Sequence, residues 1–260
     1  MSYRFIELSV TDQVAWLTMN RPDVHNAFDD HMIAELLDAL AAVDRNDDVR
    51  VLVLRSNGNN FSAGADLSWM RSMADKNYDE NVADATELSR LMQRLDELSK
   101  PSIALVQGAA FGGAVGLAAC CDVALAEAGA SFCLSEVKIG LIPAVISPYV
   151  MRAMGTRQAR RYMLSAERFD ASVAQQFGLV HEVVDNLDQA AERLIKQFLG
   201  NSPAAVSAAK QLIKDLDQQP LDEQTRRTTI ERIAEIRVSD EGQEGLSAFL
   251  EKRTPNWKQG

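Results

Sequence analysis

Cysteine, histidine and positive charge are all scarce in this chain of 260 residues. It has 3 cysteines and 3 histidines, and 27 basic side chains stand against 37 acidic ones, a formal net charge of −10. Cys120 and Cys121 are adjacent and Cys133 is isolated, which excludes a disulfide framework and a spaced metal motif. The thiols are expected to be buried and reduced, as in a cytoplasmic protein. His25, His31 and His181 are scattered, so no metal is expected. The shortage of lysine and arginine excludes an extended polyanion-binding surface, and no nucleic-acid partner is expected. The first residues show no basic segment followed by an apolar one, so no signal peptide is expected. The longest uncharged run, Pro101 to Cys121, contains Gln107 and glycines at 108, 112, 113 and 116. It reads as buried strand, turn and helix, and no membrane partner is expected.

What is present is ordinary globular material: 47% apolar and 25% charged residues. That composition excludes disorder as the main state, and the length suits one large domain or a core with an appendage. The first half alternates strands and helices. Strands are predicted at 5–10, 14–19, 49–54, 102–106 and 123–126, and helices at 29–44, 67–74, 81–98 and 112–120. This rhythm implies a largely parallel sheet with crossover helices, an α/β fold. The second half is helical, with stretches predicted at 156–164, 170–177, 187–199, 203–215 and 221–238. Ser202-Pro203 is a start signal, a capping hydroxyl followed by proline.

Two small-residue segments follow strands and open helices. They are Asn60-Phe61-Ser62-Ala63-Gly64-Ala65-Asp66-Leu67 and Gln107-Gly108-Ala109-Ala110-Phe111-Gly112-Gly113-Ala114. Small side chains let a ligand approach the backbone, and amides at a helix start can donate to an anion or a developing oxyanion. Neither segment matches a nucleotide-binding glycine motif.

Read together with Asn20-Arg21-Pro22, Asn26-Ala27, Cys121-Asp122 and Ser135-Glu136-x-x-x-Gly140-Leu141-Ile142-Pro143, the chain resembles the crotonase (enoyl-CoA hydratase/isomerase) superfamily. The tail, Glu241-Gly242 and Ala248-Phe249-Leu250-Glu251-Lys252-Arg253, is similar to that family's last helix. The resemblance implies a crotonase-like spiral of ββα units over residues 1–195 and a C-terminal helical trimerisation region over 196–260. It implies an acyl-CoA thioester substrate, no separate cofactor, and a homo-trimer or a hexamer made of two trimers. It places an oxyanion hole at the backbone N–H groups of Ala65 and Gly113, each such donor worth about 3 kcal/mol of barrier. It places the acid–base group at Glu136, whose apolar neighbours would raise its pKa. Ala63, Asp66, Leu67, Gly112, Gly116, Tyr149, Phe249 and Lys252 fall at positions that contact the substrate.

One position departs from the two-glutamate hydratases. Their first glutamate stands four residues after the first glycine of the Gly-Gly pair, and here that position is Gly116. A residue there is expected to face the water site. Δ3,Δ2-enoyl-CoA isomerases also keep only the later glutamate. Ala144-Val145-Ile146-Ser147-Pro148-Tyr149-Val150 instead resembles bacterial methylglutaconyl-CoA and isohexenylglutaconyl-CoA hydratases, which act in leucine and acyclic-terpene breakdown. The sequence therefore predicts a hydratase of a branched, carboxylated 2-enoyl-CoA. An isomerase is the alternative, and a non-catalytic RNA-binding or assembly protein the alternative of another class.

Overall fold

Short runs of β-branched and apolar residues become strands that stack in chain order. The computed structural model describes residues 3–258. β1 (Ile6–Thr11) and β2 (Val14–Met19) form an antiparallel hairpin. Asp12 and Gln13 turn it with φ of 49° and 66°, the doubly positive geometry that matches strand twist. There follow β3 (Val51–Ser56), β4 (Ser102–Val106), β5 (Ala109–Phe111), β6 (Val123–Glu127), β7 (Ser131–Cys133), β8 (Phe169–Asp170) and β9 (Glu182–Val184). The larger sheet runs β1-β2-β3-β4-β6-β9 and is parallel from β2 onward. The smaller sheet runs β5-β7-β8.

The helices are α1 (Asp30–Arg45), α2 (Leu67–Ala74), α3 (Tyr78–Asp96), α4 (Gly113–Cys120), α5 (Ser147–Met154) and α6 (Thr156–Ser165). They continue with α7 (Ala171–Gln176), α8 (Leu187–Leu199), α9 (Pro203–Leu216), α10 (Glu223–Val238) and α11 (Asp240–Glu251). Asp29 caps α1 by accepting from the Met32 N–H at 2.9 Å, and Ser202 caps α9 through the Ala205 N–H. α3 begins three residues before its apolar pattern does, because Asn77 and Glu80 form a reciprocal capping box. Among the described residues no helix is long and apolar enough to cross a membrane.

Both faces of the parallel sheet are covered, which is why its strands read as continuous apolar runs. Leu52 and Leu54 face one core with α1, α3 and α4. Val51, Val53, Ile103 and Leu105 face another, closed by Ala190, Ala191 and Ile195 of α8. α8 thus crosses residue 195, the expected division of the chain, while packed on the sheet. Beyond it, α9 and α10 bury no residue completely and α11 buries only Ala248.

Each turn of chain adds one strand to the large sheet and a short extended piece to a second layer. The second layer begins before β5: Phe28 bridges Ala65, and Ser62 bridges Ala110, both in parallel. β5, β7 and β8 continue it. This is the expected spiral of ββα units.

Candidate active site

The second layer sets the two small-residue loops side by side. Ser62 N–H donates to Ala109 O at 3.0 Å, and Phe111 N–H donates to Ser62 O at 3.0 Å. Ala65 lies three residues past Ser62, and Gly113 lies three residues past Ala110. The loops therefore leave the ladder in parallel and reach their helices together. A β-carbon on Gly64 would come within 2.9 Å of Phe111 O, so glycine is what allows that approach.

Phe28 fixes the direction of the Ala65 amide. Its N–H donates to Gly64 O at 2.9 Å and its carbonyl accepts from Asp66 N–H at 3.0 Å. Both bonds skip Ala65, whose own N–H points off the ladder. Gly113 is the first residue of α4, so its N–H has no intrahelical acceptor. Among the described residues neither amide has an acceptor. A β-carbon on Gly113 would lie 2.5 Å from Phe28 Cζ. The same phenylalanine thus orients one amide and requires glycine at the other.

Polar side chains hold this frame. Asn26 is fully buried. Its Oδ1 accepts from Arg21 N–H at 2.8 Å, and its Nδ2 donates to Asn57 O at 2.7 Å and Asn60 O at 2.9 Å. Arg21 pairs with Asp29 and Asp66, each at 3.1 Å, and donates to Ala27 O. Asp66 also caps α2 through the Ser68 and Trp69 N–H groups. Burial pushes the Asp66 carboxyl up, but those two N–H groups and Arg21 outweigh it and leave the pKa lowered.

Glu136 opens a 3-10 turn, Glu136–Ile139, that Gly140 ends at φ 80°. Gly112 stands beside it at φ 55°, and a β-carbon there would be 3.1 Å from Glu136 Oε1. The carboxylate therefore lies against the residue that precedes the Gly113 amide. Glu136 Oε2 is buried without a hydrogen-bond partner, and among the described residues Glu136 forms no ion pair. Burial pushes its carboxyl above the usual 4.5, and its own backbone N–H only partly opposes that. Two acceptor-free amides beside an unpaired, buried carboxyl can stabilise an oxyanion and move a proton.

The structure thus gathers Ala65, Gly112, Gly113 and Glu136. Ala63 and Leu67 flank the first loop. Ala63 N–H is taken by His25 O at 2.9 Å, and Leu67 is 70% exposed. The Asp66 side chain is turned inward as a cap and ion-pair partner, so it shapes the loop and offers little to a ligand. Tyr149 packs near Arg152, 5.7 Å from ring centroid to guanidinium carbon, with Cys120 and Asp96 in its neighbourhood.

Gly116 needs the clearest correction. It is buried, and a β-carbon there would meet Ile146 and the Met92 sulfur. It therefore faces packed side chains and no open water site. Phe249 and Lys252 lie at the end of α11, which packs chiefly on α9 and α10. Both are exposed, and this chain does not bring them to the two loops. Arg21, Asn26, Phe28 and Ile146 were the members sequence reading passed over. The first two lay inside the quoted motif and Ile146 inside the quoted segment 144–150, but no sequence signal marked Phe28. Among the described residues no group of three His, Cys, Asp or Glu could hold a metal ion.

Comparison with known proteins agrees with this geometry. The sequence model of the family described as enoyl-CoA hydratase/isomerase matches residues 9–260. A crystal structure of an enoyl-CoA hydratase from Shewanella pealeana superposes with a TM-score of 0.96 at 54% identity, covering 98% of this chain and 96% of that one. The 2,3-dehydroadipyl-CoA hydratase of Escherichia coli is 34% identical over 97% of this chain and 98% of its own. The crotonyl-CoA hydratase of Syntrophomonas wolfei is 31% identical over 99% of each chain. The fold, the paired amide loops and these full-length matches lead to one conclusion: the chain belongs to the enoyl-CoA hydratase/isomerase (crotonase) family.

Proposed function

We propose that the protein hydrates a branched, carboxylated 2-enoyl-CoA thioester of the 3-methylglutaconyl type. The Ala65 and Gly113 amides hold the thioester oxygen as it becomes an enolate, and Glu136 takes a proton from the water whose oxygen bonds to C3 and passes a proton to C2, ending in its starting state. The observation that carries this reading is the Glu136 carboxyl, whose Oε2 is buried without a partner while its Oε1 lies against Gly112. A buried carboxyl without a partner is costly unless a ligand supplies one.

Two features support a carboxylated acyl group. Arg168 lies over the Phe111 ring at 4.8 Å, one residue from Gly112, and has no carboxylate partner among the described residues. The name of the Escherichia coli relative is that of a hydratase for a dicarboxylic acyl thioester. With a single carboxyl in the site, the substrate's own carboxylate would help orient the water. An isomerase is the second reading, favoured by that same single carboxyl, because one base can move a proton between C4 and C2. No cofactor beyond the CoA of the substrate takes part, and the reading suits a cytoplasmic protein.

We further assign residues 1–195 to the catalytic core and 196–260 to oligomerisation, as a trimer or two stacked trimers. Apolar side chains left bare on α10 and α11, among them Ile230 and Leu250, support that. Phe249 and Lys252 would then meet CoA bound to an adjacent chain.

Glu136→Gln is expected to lower turnover by about 10²-fold or more while CoA-ester binding persists. Absorbance of the conjugated thioester is the readout. Loss of signal with 3-methylglutaconyl-CoA marks hydration, gain of signal with a 3-enoyl thioester marks isomerisation, and near-normal turnover of the variant would remove Glu136 from the mechanism.

A further inference from the structure

Position 116 lies one helical turn after Gly112 in α4. Residues four apart share a helix face, and side chains lean toward the helix start. A long side chain at 116 would therefore lean back toward Gly112, against which the Glu136 carboxylate rests. That space is already taken. A β-carbon on Gly116 would sit 2.8 Å from Ile146 Cβ and closer still to its Cγ2, with the Met92 sulfur at 3.1 Å.

Met92 can give way, since its thioether is the end of a flexible chain. Ile146 cannot. Its Cβ position is set by the backbone at the start of α5, its branched side chain is stiff at χ1, and it is 2% exposed. No rotamer of Ile146 clears the clash.

We propose that Ile146 is a specificity-determining residue, matched to Gly116, that fills the place from which a second carboxylate would reach the Glu136 site. Two positions thirty residues apart in sequence then hold the site to one acid–base group. A carboxylate cannot be restored by changing residue 116 alone. The proposal rests on the reading of Glu136 as the proton-transfer group, but its packing half does not.

The test is a double-variant series. Gly116→Ala is expected to lower Tm by roughly 3–10 °C through overpacking. Ile146→Gly is expected to lower it through the cavity it leaves. Combined, they should be more stable than the sum of the two losses, because each relieves the other. Gly116→Glu together with Ile146→Gly should hydrate crotonyl-CoA at least about tenfold faster than Ile146→Gly alone, and Gly116→Glu alone should not.

Additive losses in Tm would overturn the match between the two positions. Coupling without a gain in hydration would overturn the specificity role, as would a gain from Gly116→Glu alone. The Gly116→Ala and Ile146→Gly pair keeps the packing half decidable if the glutamate variants fail to fold. Normal turnover of Glu136→Gln would leave the Tm coupling intact, so the two ideas fail separately.

Discussion

Glu136 is retained at a cost to stability, and that cost has a pH signature. Burial raises its folded pKa above the usual 4.5, so the folded chain holds this proton more tightly than the unfolded chain does. Its contribution to stability is full below that usual value and is lost as pH rises through the raised folded value. Glu136→Gln has no charge to bury. It is expected to melt above the parent at about pH 8 and to lose that advantage near pH 4. Equal differences at both pH values would contradict the burial argument. For the same reason kcat/KM should fall on the acid side with an apparent pKa above that of an exposed glutamate. The cysteines give a second residue-scale expectation. Burial pushes Cys121 up to about 12 and raises Cys120 and Cys133 as well. Thiolate is the reactive form, so a thiol reagent at mildly alkaline pH should label none of the three until the chain is unfolded.

Among the elements, α2 and α4 matter through their first residues. α4 opens on two glycines because Glu136 lies against one and Phe28 against the other. α2 opens on Asp66, whose cap and ion pair tie the Ala65 loop to Arg21. Asp66→Ala is expected to cost about 1–2 kcal/mol in urea unfolding, and to lower kcat because the Ala65 amide loses its setting. Asp66→Asn should recover most of the stability, since an amide oxygen still caps the helix. A full loss of stability in Asp66→Asn would mean that the Arg21 pair, not the cap, holds the loop.

For the whole molecule, the contrast is between a sealed core and helices with bare apolar sides. Phe249, Leu250 and Val238 are each more than three-quarters exposed, and large apolar side chains left bare are the material of interaction surfaces. Polar ties anchor these helices to the core: Lys210 to Asp122, Lys214 to Glu97, and Arg50 to the carbonyls of Asn201 and Trp257. The protein is expected to sediment as a trimer or a multiple of three. Ile230→Glu with Leu250→Glu should yield smaller species with unchanged far-UV circular dichroism, and an unaltered assembly would place the interface elsewhere.

Much of this was legible in order along the chain. The long strands and helices follow from apolar periodicity and caps: β2, α2, β4 and α8 begin and end where the sequence predicts. The two small-residue loops could be read from residue type and spacing, whereas Ala65, Gly113 and Glu136 were singled out within them and beside them only through the family resemblance. The three-residue strands β5 and β7 were too short to carry a period. Helix α5 was hidden behind Pro148, which the structure uses in its first turn. What stands beside Tyr149, Gly116 and the Asp66 side chain was not legible, for a shared reason. Sequence states which residue occupies a position but not what stands opposite it, and only the packed structure set Arg152 beside Tyr149, Arg21 beside Asp66 and Ile146 against Gly116.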